Sequence, residues 1–293
     1  MKGEKEMAKK KPDQVKGFTL KKENSKILKT IVETLASIID EAKFQITPKE
    51  FMVEAMDPSR ICLLRLTIKN GDFDEYQCAE KCHVGLNLDD LDKILKRSTA
   101  NDSIEISLTE TDQKIKVKMK APESTRTRTF SLALLDVDIE EIPMENLLNI
   151  EFNSDWVMDP EFLVEAIKDA EIYSEILNMK ALEDQGLVFS STGQIGEMNY
   201  ELEMDDLTES NINDTASGAY SLTFLKAILK IASITERLKI SIKSDHPLKM
   251  VFDLLEGGNL HYFLAPRVDS DDDEDLYDED DIYDEEIEEE EQK

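Results

Sequence analysis

Two copies of one short pattern lie 134 residues apart in the sequence and predict a duplicated fold. Residues 88–96 read LDDLDKILK and residues 222–230 read LTFLKAILK, with leucine, isoleucine and lysine at matching positions. A match of this length between amphipathic helices is weak evidence alone, because leucine at helical spacing commonly fills a core. It gains weight because the elements predicted around each copy follow the same order. We therefore predict two copies of one α+β unit.

Hydrophobic periodicity predicts two helices in the first half, with strands between and after them. The first helix is predicted over 25–42, where a broad apolar stripe recurs at helical spacing. Strands are predicted over 51–55 and 61–68, and the second helix over 88–97. The next segments alternate polar with apolar residues, as in an antiparallel sheet with one solvated face. They read SIEISLTE, KIKVKMK and RTRTFSLALL.

The second half repeats this order after a linker, DVDIEEIPMEN, that has no clean period. LLNIEFNSD is predicted to be a strand and MDPEFLVEAIKDA a helix, with Asp159 as its N-cap and Pro160 in its first turn. Another helix is predicted over 222–232, and Gly257 and Gly258 are predicted to form a hairpin turn. The remaining predicted strands are ILNMKAL, GLVFSS, EMNYELEMDDL, RLKISIK, LKMVFDLLE and NLHYFLAP.

The formal charge of −30 is distributed unevenly along the chain. Residues 269–293 contain 17 acidic residues and one lysine. Because this segment cannot offset its ordering entropy by burial, we expect an acidic disordered tail. Its sizeable apolar side chains are Leu276, Tyr277, Ile282, Tyr283 and Ile287.

The 293 residues suit one large domain or two of medium size. We expect a basic disordered arm over 1–16 and a first domain over 17–135. An interdomain connecting loop is expected over 136–147, a second domain over 148–268, and the acidic tail over 269–293. This division is based on the change in composition at both ends of the chain and on the linker, which has no hydrophobic period.

The sequence contains no constellation that argues for catalysis, a cofactor or a metal. The nucleotide-binding glycine motifs, HExxH and GxSxG do not occur. Cys78, Cys82 and His83 lie close together, but a structural zinc site uses four ligands and no second pair is present. With Cys62, the cysteines fit a reducing compartment better than a disulfide framework. We expect a non-enzymatic protein without cofactor or metal.

Lysines recur on the outward faces of the predicted helices of this acidic chain. At 100° per residue, each helix carries at least one lysine opposite its apolar stripe. One interpretation is an ordinary solvated helix face, since lysine is a good surface helix former. The other is a surface that contacts phosphates without reading bases, weakened by neighbouring carboxylates. The candidate lysines are Lys29, Lys93, Lys96, Lys168 and Lys230, together with Lys226 on the flank of its helix.

Ordered motifs between residues 17 and 268 carry a resemblance to a known family. They are GFTL, AMDPSR with LLRL, FDEYQC with GLNLDDLDKILK, LALLDVDIEEIP, STGQIGE and PLKMVFDLLEGGNLHYFLAPRV. In these motifs the chain resembles the DNA sliding clamps of the proliferating cell nuclear antigen family, archaeal-type members above all. The resemblance implies two clamp domains with helices on one face of antiparallel sheets. It also implies three chains, identical or paralogous, that close head-to-tail into a ring with helices lining a central hole.

The resemblance implies a processivity factor for DNA polymerase. Duplex DNA would thread the ring without sequence recognition. Polymerase, clamp loader, flap endonuclease, ligase and similar factors would be tethered through short peptides. The inner-face basic positions of the family fall on the lysines above, except that Lys226 is added from helix geometry. Thr30 and Ala36 stand where eukaryotic members have lysines, which implies a sparser positive lining.

The resemblance also implies a partner pocket and a subunit joint. The pocket takes a peptide with a glutamine, an aliphatic plug and paired aromatic residues. Its residues would be Met56, Arg60, Ile61, Leu63, Val137, Ile139, Ile142, Pro143, Pro247, Phe263, Ala265, Pro266 and Arg267. The joint would pair an edge strand carrying Phe130 and Leu132 with one carrying Met198 and Tyr200 on the next chain, which would otherwise be unpaired edges.

A different class of function remains open from the residues alone. The acidic tail fits a non-enzymatic scaffold or chaperone for basic or DNA-associated proteins that never encloses DNA. The duplicated order of elements and the lysines on helix faces favour the clamp. The basic N-terminus lacks a following apolar segment, so it is not read as a secretory signal. No membrane span is expected either. We expect the protein near the nucleoid in an archaeal cytoplasm, or in the nucleus of a eukaryote.

Overall fold

The structure, a computed structural model, describes residues 17–109, 111–137, 142 and 144–267. The predicted basic arm, the predicted acidic tail and linker residues 138–141 and 143 lie outside these residues, and Ile139 and Pro143 are among them. The first half contains nine strands, two helices and a 3-10 turn at Asn70–Asp72 within the described ranges. In chain order these are β1 (Gly17–Lys22), α1 (Ser25–Ala36), β2 (Glu41–Ile46), β3 (Glu50–Met56), β4 (Cys62–Lys69), β5 (Glu75–Cys78), β6 (Cys82–Asn87), α2 (Leu88–Leu95), β7 (Ser103–Thr109), β8 (Lys114–Lys120) and β9 (Thr127–Ala133).

The second half has the same succession of elements and follows a short helix, α3 (Met144–Leu148). Its 3-10 turn, Met204–Asp206, stands at the position of Asn70–Asp72 in the first half. Its elements are β10 (Ser154–Met158), α4 (Pro160–Ala170), β11 (Ile176–Leu182), β12 (Gly186–Gly193), β13 (Gly196–Leu202), β14 (Glu209–Ile212), β15 (Ala216–Ser221), α5 (Leu222–Ile228), β16 (Leu238–Ile242), β17 (Leu248–Leu254) and β18 (Gly258–Leu264). A second 3-10 helix, Leu229–Ile234, continues α5.

The strands form three antiparallel sheets whose orders confirm the predicted duplication. A five-stranded sheet has the order β5-β1-β7-β8-β9, and a four-stranded sheet has the order β13-β12-β11-β15. The third sheet has nine strands, β14-β10-β16-β17-β18-β4-β3-β2-β6. Its first five strands correspond one by one to the five-stranded sheet, and its last four correspond to the four-stranded sheet. Each half therefore supplies one five-stranded and one four-stranded unit.

The two halves are joined within the chain by the pairing of β18 with β4. The register runs from Asn259 opposite Thr67 to Leu264 opposite Cys62. Tyr262 and Leu64, which face each other in this ladder, are fully buried. One hydrophobic core continues from the first half through this joint into the second. The nine-stranded sheet is therefore a shared structural unit rather than a surface contact.

Side-chain caps and apolar stripes determine where the helices begin. The Asn24 side chain accepts a hydrogen bond from the backbone N–H of Lys26 at 2.9 Å. Asp159 accepts one from the N–H of Glu161 at 2.9 Å, and Pro160 follows it, as predicted. None of the helices in the described part of the chain is long and apolar enough to cross a bilayer.

The first helix ends at Ala36, six residues before its predicted end, and the prediction of helix over 37–42 is wrong. The N–H of Ser37 donates to the carbonyl of Glu33 at 3.2 Å and closes the last turn. Ile39 lies after the end of the helix but is still buried, so the apolar pattern extends farther along the chain than the helical backbone does. The residues from Glu41 onward form β2, which alternates buried and exposed positions as a strand does.

The predicted strand LLNIEFNSD is also wrong. Its first two residues, Leu147 and Leu148, belong to α3, and its last two begin β10. The two leucines pack beside Leu63 and Phe263 on the face of the nine-stranded sheet. A helical turn places both on that face, whereas successive strand residues point to opposite sides.

The predicted turn at Gly257 and Gly258 is displaced by one residue. The loop between β17 and β18 is 255–257, with Leu255 at a φ of 56°, while Gly258 already pairs with Leu254. A Cβ on Gly258 would lie 2.9 Å from the carbonyl oxygens of Leu254 and Thr67. Close approach of two strands, rather than turn conformation, therefore requires glycine at 258.

Candidate functional sites

The helices of both halves pack together in one layer. α1 contacts α2 and the 3-10 helix Leu229–Ile234, and α4 contacts α5. Their buried residues face the sheets, so their polar faces form one continuous surface. Of the six predicted lysines, Lys29 is half-buried. The other five are exposed on this surface and are Lys93, Lys96, Lys168, Lys226 and Lys230.

One carboxylate connects lysines of the two halves. The Glu33 carboxylate lies 3.6 Å from the ammonium of Lys96 and 3.8 Å from that of Lys230. Lys26 also crosses the boundary, since its ammonium donates to the carbonyl of Ser233 at 3.0 Å. The sequence offered no signal for these contacts, because they depend on how α1 packs against the second half.

Most lysines of the helix layer are already paired with acidic residues. The ammonium of Lys93 lies 3.0 Å from Asp90 and that of Lys96 lies 2.7 Å from Asp92, and both contacts raise the pKa of the lysine. Lys226 pairs with Glu171. Lys168 forms no ion pair within the described part of the chain. The lysine charges of this surface are therefore largely balanced by neighbouring carboxylates.

Apolar residues collect on the opposite face of the nine-stranded sheet. Met56 of β3 stands opposite Leu63 of β4, and Leu63 stands opposite Phe263 of β18. Their strand neighbours Leu64 and Tyr262 face the core, so these three face away from it. Leu63, Phe263 and Met144 of α3 form a small buried cluster apart from the main core. Met56, Ile142, Leu147 and Leu148 pack against it.

This outer cluster, as we call the seven residues above, contains four of the predicted pocket residues: Met56, Leu63, Ile142 and Phe263. A groove of about 410 Å³ continues from Met56 past Val137, where the Lys43 ammonium donates to the Val137 carbonyl at 2.8 Å. Pro247, Pro266 and Arg267 lie next to β17 and β18, outside the cluster. Sequence reasoning missed Met144, Leu147 and Leu148. The sequence offered little signal for them, because the linker has no clean period and the pattern assigns the two leucines to a strand.

A buried carboxylate builds the turn that carries Arg60 and Ile61 beside the cluster. Asp57 is 3% exposed and accepts hydrogen bonds from the N–H groups of Ile61 at 2.7 Å and Cys62 at 2.6 Å. Its other oxygen accepts from the N–H of Ser59 at 2.9 Å. Arg60 has a φ of 59°, and the carbonyl of Ile61 accepts from the N–H of Ala265 at 2.9 Å. The turn is thus fixed from both ends.

Replacing Asp57 with Ala is expected to lower the free energy of unfolding by about 2–4 kcal/mol, because three N–H groups of the turn, that of Cys62 buried, lose a charged acceptor. Urea unfolding followed by circular dichroism at fixed protein concentration measures the change. The exposed Asp205, replaced with Ala, is the control and should change stability by less than about 0.5 kcal/mol. Equal stability of the two variants would show that the turn does not depend on Asp57.

Three basic residues, Lys249, His261 and Arg65, lie near Phe263 on the same sheet face. The ammonium of Lys249 lies 5.8 Å from the ring centroid of Phe263 and 5.9 Å from that of Phe152. Burial lowers the pKa of Lys249. Burial also lowers the pKa of His261 to about 4, with Lys249 and Arg65 acting in the same direction, so the ring is neutral near pH 7. Arg65 pairs with Glu54 at 2.6 Å and with Glu145 of α3 at 2.8 Å.

Six strands end the three sheets of the described chain, and β9 and β13 are two of them. β9 is the last strand of the five-stranded sheet and β13 the first of the four-stranded sheet. Phe130 and Leu132 of β9 are half-buried and pack against the core, as do Met198 and Tyr200 of β13. The Tyr200 hydroxyl donates to Glu165 at 2.9 Å. The structure thus places the four predicted joint residues on open edges.

Among the described residues, no group of three or more histidine, cysteine, aspartate or glutamate side chains is placed to hold a metal. Cys78 and Cys82, singled out with His83 in the sequence, are free thiols at the ends of β5 and β6. Burial raises the pKa of Cys82 to about 12, which keeps it protonated and weakly nucleophilic.

The chain is similar to DNA polymerase sliding clamps along most of its length. The DNA polymerase sliding clamp of Thermofilum pendens is 32% identical over 244 residues, which are 82% of this chain and 95% of the relative. Those of Pyrococcus furiosus and Nitrosopumilus maritimus are 29% and 28% identical over 254 and 256 residues. Both alignments cover 86% of this chain and 99% of the relative.

The duplicated α+β fold, with its helix layer and the edge strands β9 and β13, is that of a sliding clamp. Models of the N-terminal and C-terminal domains of proliferating cell nuclear antigen match residues 18–142 and 150–267. The chain belongs to the proliferating cell nuclear antigen family. The predicted family and fold class are confirmed, while the roles of individual residues stay predictions.

Proposed function

We propose that this chain is the subunit of a ring that encircles duplex DNA and tethers DNA polymerase and other replication and repair factors to it. The observation that carries the proposal is the correspondence of strands between the halves. β9 holds the position in the first half that β18 holds in the second, and β13 corresponds to β4. Because β18 and β4 pair within the chain, the equivalent strands β9 and β13 would pair in the same way between one chain and the next.

A β9–β13 joint is heterologous, so repetition gives either a closed ring or an open filament. Joining a five-stranded to a four-stranded unit would build a second nine-stranded sheet like the one inside the chain. Family membership supports closure with three chains, identical or paralogous. The division into two domains joined by a connecting loop follows from the same repeat.

The helix layer supports contact with DNA inside this ring. Its lysines are exposed, and no base-reading motif accompanies them. Partial neutralisation by Glu33, Asp90, Asp92 and Glu171 would keep each phosphate contact weak, which sliding requires. Catalysis is not part of the proposal, because tethering works through effective concentration alone.

The outer cluster supports a docking site for partner peptides. It presents partly exposed Met56 and Ile142 around a buried floor of Leu63 and Phe263, with Ile61 on the adjoining turn. Peptides with an aliphatic plug and paired aromatic residues would bury those side chains there. Polymerase, clamp loader, flap endonuclease and ligase are the partner classes that fit such a clamp.

Retention on closed circular DNA tests the proposed function. The protein is loaded onto a closed circle by the clamp loader of the same cell, and the circle is then cut once. A ring that encircles DNA should stay on the closed circle through gel filtration and leave the linear form. Equal retention before and after cutting would favour a scaffold that binds basic or DNA-associated proteins without enclosing DNA.

Replacing Lys96 and Lys230 together with Ala should weaken binding to linear duplex and reduce its salt dependence. A three-chain ring would lose six lysines, so the slope of log affinity against log salt should fall by about 2 to 5. Fluorescence anisotropy over a salt series measures the slope. The control replaces Lys114 and Lys120 of β8, on the opposite face, with Ala. An identical slope loss in the control would contradict a DNA-facing role for the helix layer.

A further inference from the structure

The outer cluster is incompletely covered in the described chain. Leu63 and Phe263 are buried under α3, but Met56 and Ile142 are only partly buried. On the adjoining turn the side chain of Ile61 is one of the few large apolar groups that are exposed, at 38%. Exposed apolar groups gathered around a groove are typical of a surface that another chain segment covers.

A cation that forms no ion pair with the described residues lies at the edge of the same cluster. The Lys249 ammonium is held near the rings of Phe152 and Phe263, and no carboxylate of the described residues forms an ion pair with it. Its sheet neighbour Lys239, by contrast, pairs with Asp155 at 2.6 Å. A half-buried ammonium loses hydration, so an acidic segment would be stabilised beside it.

The chain itself carries a segment with matching chemistry. Residues 275–280 read DLYDED and residues 281–286 read DIYDEE, a six-residue repeat of an aliphatic–tyrosine pair between acidic residues. These two pairs and Ile287 are the sizeable apolar groups in residues 269–293. An apolar pair would fill the groove while the flanking carboxylates approach Lys249.

The attachment point allows the segment to reach the cluster. Phe263 of β18 lies four residues before Arg267, the last described residue. Leu276 follows Arg267 by nine residues and Tyr283 by sixteen, so extended chain spans about 30 Å and about 50 Å. Tethering at this length gives an effective concentration on the order of millimolar, so weak intrinsic affinity is enough for docking.

We propose that residues 275–286 dock on the outer cluster of the clamp, placing an aliphatic–tyrosine pair against Met56 and Phe263 and carboxylates beside Lys249. The segment then competes with partner peptides for one groove, an inference that rests on the proposed function of the outer cluster. Partners must displace it, so it selects against weak and nonspecific peptides.

The decisive variant replaces Leu276, Tyr277, Ile282 and Tyr283 with Ala in the full chain and retains every acidic residue. Methyl NMR of methionine-labelled protein reports the environment of Met56 directly. Loss of docking should shift the Met56 methyl signal in this variant and in Lys249→Met, with no shift in Lys239→Met. An unchanged Met56 signal in the four-alanine variant would overturn the proposal. The acidic segment would then either not dock or dock elsewhere, on the lysines of β8 or of the helix layer.

Competition is measured with a fluorescent peptide that contains a glutamine, an aliphatic plug and two aromatic residues. The four-alanine variant should bind it about threefold tighter or more than the wild-type chain. Equal affinity would overturn the competition. If the peptide binds neither protein while the Met56 signal still shifts, the partner groove fails and docking of the segment stands. The proposed partner groove and the proposed docking of residues 275–286 can therefore be disproved independently of each other.

Discussion

Phe130→Asp is expected to convert the assembled ring into monomers at micromolar concentration. Phe130 is half-buried on the open edge of β9 and packs against the core, so a joint to β13 of the next chain would enclose it. An unpaired carboxylate enclosed there costs about 3 kcal/mol or more, which weakens each joint at least about 100-fold. Analytical ultracentrifugation of the purified protein measures the mass directly.

The control for this variant is Ser131→Asp, which adds the same charge one residue along the same strand. Ser131 is exposed and lies on the other face of β9, so the ring should persist. Circular dichroism must show that both variants are folded, since Phe130 also contacts the core. A folded Phe130→Asp protein that kept the mass of the ring would contradict the β9–β13 joint. The monomer should also fail to stay on closed circular DNA.

Ile61→Asp is expected to weaken partner-peptide binding by about 30-fold or more, which corresponds to about 2 kcal/mol. The backbone of Ile61 is held by Asp57 and Ala265, while its side chain is exposed. The substitution therefore leaves the turn intact and places a charge where the peptide would bury apolar side chains. Fluorescence anisotropy with the glutamine and paired-aromatic peptide measures the affinity.

Ile172→Asp is the matched control, because Ile172 is also an exposed isoleucine, at 61%, just after α4. It should leave peptide affinity within about twofold of the wild-type chain, as expected for a residue outside the contact. If Ile61→Asp bound the peptide as well as Ile172→Asp did, the groove beside the outer cluster would not be the partner site.

The sequence predicted the features of this fold that depend on local pattern. The repeated segments at 88–96 and 222–230 do begin equivalent helices, α2 and α5, and Asp159 caps α4. Strands β1, β2, β5, β6, β14 and β15 were not predicted, because each has six residues or fewer and lacks a long alternation of polar and apolar residues. Their pairing with neighbouring strands, which the sequence does not display, keeps them extended.

The candidate sites divide in the same way. Helical spacing was enough to place Lys96 and Lys230 on outward faces, because that spacing is a property of one helix. Their common contact with Glu33 depends on α1 packing against the other half of the chain, more than 190 residues from Lys230. Lys249 became notable only when the register of β17 and β18 placed it opposite Phe263.

The pairing of β18 with β4 has a consequence for how the proposed ring would open. Six joints of one design would alternate around three chains, and the connecting loop makes three of them intramolecular. An intramolecular joint that separates re-forms at an effective concentration on the order of millimolar, whereas a joint between chains loses its partner to bulk solution. Any factor that opens the ring would therefore break it at a β9–β13 joint. The two halves of each chain would stay paired through β18 and β4 during loading and unloading.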